Sequence, residues 1–260
     1  MKSNHSNKFA GIIPARYASS RFPGKPLAMI GSKTMIQRVY EQVRKVMESV
    51  YVATDDERIF NKVMSFGGNA VMTSPDHFSG TDRCSEAADK IISETGQKID
   101  IVVNIQGDEP FIRPEQIKLI MNCFNAEGVD LATLIRKVEV QEDIFNPNQP
   151  KVIVNTSGDA IYFSRSVIPY VRDADRDEWT RKHAFYKHIG LYAYRTSVLR
   201  MITSLPKSPL ESAESLEQNR WIENGFRIRT AVTSWESIGI DTPEDLEKAK
   251  LILDKFDKIY

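Results

Sequence analysis

Val102-Val103-Asn104-Ile105-Gln106-Gly107-Asp108-Glu109-Pro110 is the stretch of sequence on which the fold depends. Residues 101–105 are largely β-branched and predict a strand buried on both faces, as in the centre of a parallel sheet. The strand ends at Gln106-Gly107, and Pro110 prevents further pairing. Asp108 and Glu109 therefore follow the carboxyl end of a central strand, where open α/β sheets bind their ligands. Carboxylates there suit Mg²⁺, although an acidic loop exit without a metal is the alternative interpretation.

A loop rich in cations follows the first predicted strand, residues 9–13, which we expect to end at Pro14. Arg16, Arg21 and Lys25 lie in this loop among small residues. Small residues let backbone N–H groups approach phosphate oxygens, and the cations neutralise phosphate charge. The spacing matches neither the Walker pattern nor the dinucleotide fingerprint. We interpret the segment as a phosphate-binding loop, with a merely solvated surface loop as the alternative.

Strand and helix patterns alternate four times in the first half of the chain. Further strands are predicted at residues 49–54, 70–73, 101–105 and 129–135, with helical apolar spacing between them. This alternation favours a three-layer α/β fold with a mostly parallel central sheet and right-handed crossovers. Asp55 and Asp56 are interpreted as helix caps. Ser79 or Thr81, beside Gly80 at a helix start, is a candidate contact for an anion or a ribose hydroxyl.

The second half changes character and predicts a β-hairpin around residues 156–159. Residues 172–182 are densely charged and are expected to form a solvated excursion. Residues 185–194 alternate as a strand that places His188 and Tyr192 on one face. Such a face offers hydrogen bonds and ring surface to a polyhydroxylated acid, and a half-exposed sheet face is the alternative.

Near the C-terminus, Thr242 and Pro243 predict the start of a last helix, with Thr242 as its N-cap. Asp241 lies just outside this helix. It is interpreted either as a second cap or as a partner of Asp108 in a cation site.

Composition limits the partners of the chain. The 260 residues are 41% hydrophobic, which suits one large α/β domain or a core with an added lobe. Lysine plus arginine and aspartate plus glutamate each total 35, so the formal net charge is zero. Zero net charge, without a basic stripe interleaved with aromatic residues, argues against a nucleic-acid partner.

Cysteine usage and hydropathy indicate a compartment. The two cysteines, Cys84 and Cys123, have no metal-ligand spacing and predict reduced thiols. Residues 1–8 are polar, which argues against a secretory signal. No stretch approaches the ~20 apolar residues needed to cross a bilayer. We therefore expect a cytoplasmic protein that has no membrane partner.

Eight segments carry a resemblance to a known family: IIPARYASSRFPGKPL, HFSGTDR, VNIQGDEP, FNPN, IYFSRSVIP, HIGLYAYR, SPLESAESLEQ and GIDTPEDLE. In this order they resemble the 3-deoxy-D-manno-octulosonate (Kdo) cytidylyltransferases, or CMP-Kdo synthetases, from about Phe9 to the last helix. Each segment alone is a weak signal, but eight in order are specific. They separate the chain from the sialic-acid cytidylyltransferases, which share mainly the first loop. The chain departs from the family pattern at Asp82 and Ile240, where glutamate and valine are more common.

The resemblance implies a Rossmann-like nucleotide-diphospho-sugar transferase fold with a smaller dimerisation and substrate lobe. It implies one cytidylyltransferase domain over residues 1–260, and a homodimer. Residues 1–135 would mainly bind the nucleotide, residues 136–230 would form the sugar-binding and dimerisation lobe, and residues 231–260 would return to the core with a metal ligand and the C-terminal helix. The implied activity transfers CMP from CTP to Kdo, giving CMP-Kdo and pyrophosphate for lipopolysaccharide biosynthesis.

The resemblance also implies roles for individual residues, with Mg²⁺ as the cofactor. The metal ligands would be Asp108 and Asp241, which together with Lys25 and Arg16 would be catalytic. The nucleotide would be bound by Ala15, Arg16, Arg21, Lys25, Gly80, Arg83, Gln106 and Asp108. Kdo would be received by Gln106, Arg165, His188, Tyr192, Glu217 and Gln218, with Arg165 as the partner of its carboxylate. The role of residues 172–182 stays open.

Two other hypotheses fit the same residues. One is the same reaction on another sugar acid, such as 8-amino-Kdo or a sialic acid. The other is a non-catalytic protein that binds a nucleotide sugar, although the two aspartates and three loop cations favour an enzyme.

Overall fold

The computed structural model describes residues 7–257, except Ser20, Val140 and Ser237. The first six residues of the polar N-terminal segment therefore lie outside the described part. The strands are β1 (Phe9–Ala15), β2 (Met29–Ile30), β3 (Lys33–Thr34), β4 (Val50–Thr54), β5 (Ala70–Met72), β6 (Ile101–Asn104), β7 (Leu131–Lys137), β8 (Lys151–Val154), β9 (Ala160–Ser164), β10 (Tyr186–Arg195) and β11 (Arg229–Val232). The α-helices are α1 (Met35–Arg44), α2 (Glu57–Ser65), α3 (Gly80–Thr95), α4 (Pro114–Asn122), α5 (Trp179–Lys182), α6 (Thr196–Thr203), α7 (Pro209–Glu214), α8 (Glu217–Glu223) and α9 (Pro243–Asp257).

One mixed sheet organises the molecule. Its main path runs β11-β7-β10-β6-β1-β4-β5, and the β8–β9 hairpin joins it through β10. β1 pairs in parallel with both β4 and β6, and β4 pairs in parallel with β5. β10 is antiparallel to its neighbours β6 and β7. The predicted mostly parallel core is confirmed, and the two halves of the chain share this sheet because β7, β10 and β11 extend it.

Helices cover both faces of the sheet, which gives the predicted three layers. On one face, apolar residues of α1, α2 and α4 pack with Ile13, Val103 and Leu134. On the other, residues of α3, α6 and α8 pack with Ile12, Val102 and Tyr194. α9 packs separately against Ile30 and the loop that follows β6. Burial of these apolar side chains is the main force that holds the layers together. In the described part of the chain, no helix is long and apolar enough to cross a membrane.

Three local predictions were wrong or incomplete. β1 does not end at Pro14 but continues to Ala15, and Pro14 lies opposite Ala53 of β4. The missing N–H of Pro14 costs no ladder bond there, because the pairing of β1 with β6 ends at Ile12.

The charged excursion of residues 172–182 is not solvated throughout. Trp179 is buried in a small cluster with Val138, Ile144 and Phe185. Helices α6 and α7 were not predicted, although Ser208 and Glu211 form a capping box with Pro209 as the first helical residue of α7.

Candidate active site

The residues predicted to bind nucleotide and metal line one cleft. It has a volume of about 290 Å³ and lies beyond the carboxyl ends of β1 and β6, beside the first turn of α3. This is the edge at which open α/β sheets bind ligands. The predicted residues that line the cleft are Ala15, Arg16, Arg21, Lys25, Gly80, Arg83, Gln106, Asp108 and Asp241.

Asp108 and Asp241 meet in this cleft although they lie far apart in the sequence. Lys25 Nζ donates to Asp108 Oδ2 at 2.6 Å and to Asp241 Oδ1 at 3.2 Å. Arg21 Nη2 also lies 3.2 Å from Asp241 Oδ1. The backbone N–H of Ile240 donates to the Asp108 carbonyl oxygen at 3.0 Å and joins the two segments. Both carboxylates therefore face a single point.

The donor set fits Mg²⁺. The Lys25 ammonium group contacts both carboxylates, so a cation at this point is within reach of both. Among the residues that the structure describes, three or more His, Cys, Asp or Glu side chains nowhere gather into a possible metal cluster. Mg²⁺ usually takes one or two protein carboxylates and completes its shell with water and substrate phosphate. Asp108 and Asp241 would be suitable ligands for such an ion.

The cationic loop has a defined shape. Gly24 has a φ of 71°, a left-handed conformation that favours glycine, and its N–H donates to the Tyr17 carbonyl oxygen at 2.9 Å. A side chain at Gly24 would crowd the Tyr17 ring, because a Cβ there would lie 3.1 Å from two ring carbons. The Arg58 guanidinium covers the same ring at 3.3 Å from its centroid. These contacts hold the loop that presents Arg16, Arg21 and Lys25 to the cleft.

The start of α3 forms another wall of the cleft. Ser79 is the N-cap, and its hydroxyl accepts from the Asp82 N–H at 3.1 Å. Thr81 Oγ1 donates to Glu217 at 2.7 Å. The two hydroxyls predicted to meet an anion or ribose are thus already engaged within the protein. Gly80 faces the cleft from the positive end of the helix dipole.

Arg83 lines the cleft but is nearly buried. Its guanidinium donates to Thr73 Oγ1 at 2.6 Å and to Asp55 Oδ2 at 3.1 Å. Of the two predicted caps, only Asp56 caps a helix, since it accepts from the Arg58 N–H at 3.0 Å. Asp55 instead pairs with Arg83, so the prediction for Asp55 was wrong.

The residues predicted to receive the sugar acid form a second group, on the α3 and α8 side of the sheet. His188 Nε2 lies 3.0 Å from Thr133 Oγ1, and its ring contacts Tyr192 and Phe163 at centroid distances of 5.1 and 5.2 Å. The Thr133 hydroxyl also lies within hydrogen-bond distance of the Ile189 and Leu191 carbonyl oxygens, at 3.3 and 2.9 Å. Burial lowers the pKa of His188 to about 3, so the imidazole is neutral and offers one donor and one acceptor.

Polar atoms accumulate around this group. Glu217 accepts from Thr81 and, at 2.7 Å, from Arg220, and burial raises the pKa of its carboxyl group. Gln218 Nε2 and Asn104 Oδ1 are buried and make no hydrogen bond with the residues that the structure describes. Buried polar atoms normally have partners. This region therefore offers donors and acceptors to a polar ligand.

Arg165 is held rigidly at the edge of the second group. Its guanidinium donates to the carbonyl oxygens of Glu214, Pro147 and Ser215, at 2.7, 3.0 and 3.3 Å. The fully buried Lys151 ammonium donates to the Arg165 carbonyl oxygen at 2.8 Å. A ligand carboxylate at Arg165 would share donors that already contact backbone oxygens.

Gln106 connects the two groups. It lines the cleft, and it also approaches Gly190 of β10, which lies between His188 and Tyr192 in the strand. A Cβ at Gly190 would lie 4.0 Å from Gln106 Cγ and 3.8 Å from Glu109 Oε1. The nucleotide cleft and the sugar-acid group are therefore contiguous around Gln106.

The sequence interpretation missed two residues of the cleft wall. His77 was left without a role, and Phe78 was not singled out, yet both line the cleft. His77 pairs with Glu86, while the Phe78 ring is 98% exposed. Their position between β5 and the α3 cap was the available signal, because loops after parallel strands surround the ligand edge.

Comparisons with known proteins show what the chain is similar to. A family model described as cytidylyltransferase matches residues 10–232. The chain is 60% identical to a 3-deoxy-manno-octulosonate cytidylyltransferase of Parabacteroides distasonis, over 95% of this chain and 98% of that protein. It is 57% identical to the protein of that name in Cytophaga hutchinsonii, over 95% and 97%. A solved structure of CMP:2-keto-3-deoxy-manno-octonic acid synthetase complexed with CTP has a TM-score of 0.87 and 44% identity, over 96% of this chain and 99% of that one.

Proposed function

The chain belongs to the cytidylyltransferase family, as one of its 3-deoxy-manno-octulosonate members, and from this premise we propose how its residues carry out the reaction. It is an enzyme that transfers CMP from CTP to Kdo and releases pyrophosphate. One observation supports our assignment of this chemistry to residues: Asp108 and Asp241 meet at Lys25 in the cleft that the cationic loop borders.

The triphosphate of CTP would lie against the cationic loop. Arg16, Arg21 and Lys25 carry the charge needed to neutralise it, and the start of α3 at Gly80 adds the positive end of a helix dipole. The Lys25 ammonium group has three protons, and two of them point to Asp108 and Asp241. The third is available to a phosphate oxygen.

Kdo would be bound by the second group, next to Gln106. Donors and acceptors for its hydroxyl groups would come from the neutral His188, the Tyr192 hydroxyl, the Glu217 carboxyl and Gln218, whose Nε2 has no partner among the described residues. Arg165 would be the partner of the Kdo carboxylate. Because Gln106 borders both groups, the sugar hydroxyl would be held beside the α-phosphate.

The reaction would be an in-line attack of the anomeric hydroxyl of Kdo on the α-phosphorus, with pyrophosphate as the leaving group. Such a phosphoryl transfer depends on positioning and charge stabilisation rather than on a covalent protein intermediate. Lys25 and Arg16 would stabilise the charge that develops on the phosphate oxygens. Asp108 and Asp241 would hold Mg²⁺, which neutralises phosphate charge and lowers the pKa of a bound hydroxyl group when present.

Pyrophosphate release tests this assignment. The wild-type protein with CTP, Mg²⁺ and Kdo should release pyrophosphate, and sialic acid in place of Kdo serves as the acceptor control. Asp108→Asn and Asp241→Asn keep the side-chain volume but remove the negative charge, so we expect each to lose most of its activity with an unchanged circular dichroism spectrum. Full turnover in either variant would remove that aspartate from the metal assignment.

The proposal extends to assembly and compartment. We propose a homodimer formed through residues 136–230, whose exposed apolar side chains include Ile161 and Tyr170. Sedimentation equilibrium tests it. The free thiols of Cys84 and Cys123 support a location in the reducing cytoplasm.

A further inference from the structure

Asp241 reaches the cleft on a long irregular connection, residues 233–241, which we call the crossing segment. It links β11 to α9 and contains no helix or strand in its described residues. At its start, the Thr233 N–H donates to the Ile135 carbonyl oxygen at 2.9 Å, and at its end, Ile240 donates to Asp108. A segment without regular backbone pairing depends on side-chain contacts to hold its course.

Glu236 makes two of these contacts. Its carboxylate pairs with the Lys187 ammonium group, and it lies 3.2 Å from Arg136 Nη1. Arg136 also donates from Nε to the Ser234 carbonyl oxygen at 3.3 Å. Trp235 lies over the Arg113 guanidinium, with 3.8 Å from Cζ to the ring centroid. The crossing segment is thus fixed midway between β11 and Asp241.

The Lys187 side chain is only 4% exposed, so its charge has to be compensated inside the protein. Besides Glu236, its ammonium group contacts Gln149 Oε1 at 3.2 Å and Asp143 Oδ2 at 3.6 Å. Gln149 belongs to the loop in which Pro147 accepts from Arg165. One buried ammonium group therefore ties the segment that carries Asp241 to the loop that holds Arg165.

We propose that Glu236 is a positioning residue, which through Lys187 and Arg136 sets Asp241 against Asp108 for binding a divalent cation. The inference rests on the proposed function, because it takes Asp241 as a metal ligand. Glu236 itself does not line the cleft. Its effect reaches the metal only through the course of the crossing segment.

The experiment measures Mn²⁺ affinity, by the enhancement of water-proton relaxation, in the protein–CTP complex without a sugar acid. No turnover occurs under these conditions, so the readout does not depend on activity. Partners that orient metal ligands typically contribute 10–100-fold to metal affinity, so we expect Glu236→Gln to weaken Mn²⁺ binding about tenfold. The affinity for CTP in EDTA should stay within about twofold of wild type.

Asp143→Asn is the matched control. It removes another carboxylate from the same Lys187 ammonium group, but Asp143 lies outside the crossing segment. Its Mn²⁺ affinity should remain within about twofold of wild type. Arg136→Gln removes the other cation that contacts Glu236 and should also weaken Mn²⁺ binding. It replaces Glu236→Gln as the test variant if Glu236→Gln does not fold.

Two outcomes would overturn the inference: Mn²⁺ affinity unchanged in both Glu236→Gln and Arg136→Gln, or an equal loss in Asp143→Asn. Asp241→Asn in the same Mn²⁺ titration distinguishes a failure of the metal assignment from a failure of the role of Glu236. If Asp241→Asn binds Mn²⁺ like wild type, the metal assignment itself fails. If only Asp241→Asn loses affinity, the metal assignment stands and the role of Glu236 fails.

Discussion

His188 makes the stability of the fold depend on pH in the mildly acidic range. Burial lowers its pKa from 6.5 to about 3, so the folded protein keeps the imidazole neutral, while the unfolded chain takes up a proton below the ordinary value. Stability from this residue is therefore complete above the unfolded pKa and is lost as the pH falls from 6.5 towards about 3. Gln is the informative replacement, because its amide can donate to Thr133 but does not titrate.

The expected size follows from linkage. One proton that binds only the unfolded chain costs about 1.4 kcal/mol per pH unit once the pH is well below the unfolded pKa. Between about pH 8 and about pH 5 the wild type should lose about 2 kcal/mol through His188 alone. Other groups lower stability in acid as well, but they contribute equally to both proteins. The difference between wild type and His188→Gln should therefore shrink by about 2 kcal/mol over this interval.

Urea unfolding monitored by circular dichroism at several pH values measures this difference, and the ¹³C shift of the imidazole gives the His188 titration directly. Loss of ring packing against Phe163 lowers the stability of the variant by the same amount at every pH, so it does not imitate the effect. Parallel stability curves for wild type and His188→Gln would refute the reasoning. So would an imidazole that titrates near its ordinary pKa in the folded protein.

Three further substitutions, one of them with a matched control, test the geometry of the site. Gly107→Ala would place a Cβ 2.8 Å from the Pro14 carbonyl oxygen, so we expect a loss of about 1–3 kcal/mol in urea unfolding. Gly239→Ala, which meets no atom within 4 Å, is the control and should change stability by less than about 0.5 kcal/mol. Arg165→Ala should raise the KM for Kdo about tenfold or more through loss of charged hydrogen bonds, with the KM for CTP unchanged; equal changes in both would contradict its assignment. Gly190→Ala has room in the fold, with 3.8 Å to the nearest atom, and should raise the KM for Kdo without lowering stability.

Local sequence patterns predict the helices and strands of the first half of the chain, because these elements depend mainly on residues that are close in sequence. The apolar spacing of α1, the cap at Asp56 and the apolar run of β6 each report on the few residues around them. The order of strands in the sheet does not depend on nearby residues alone. β10 was predicted as a strand, but its antiparallel position between β6 and β7 follows from pairing with residues far away in the sequence. Alternation along one strand does not identify its neighbours.

In the cleft too, positions set by nearby residues were predictable and contacts between distant residues were not. Asp108 was predicted to lie beyond the carboxyl end of a buried strand, and it lines the cleft there because only residues 105–107 separate it from the end of β6. The partner of Arg83 was not predicted, since Asp55 precedes a helix and matched the pattern of a cap. Asp56 fills that cap, and the Asp55 carboxylate pairs instead with the buried Arg83 guanidinium, because an unpaired buried charge is costly.

Lys187 shows most clearly where sequence reasoning stops. It adjoins His188 in β10, on the face that also carries Ile189 and Leu191, and a lysine among apolar residues indicates either a sheet edge or a buried ammonium group with partners. Only the tertiary structure decides between them, because Glu236 comes from the crossing segment, whose course no periodicity describes. Strand ends determine where the carboxylate of Asp108 lies. We propose that the position of Asp241 depends in addition on the ion pair between Glu236 and the buried Lys187, which both lie outside the cleft, and the Mn²⁺ titration of Glu236→Gln tests this.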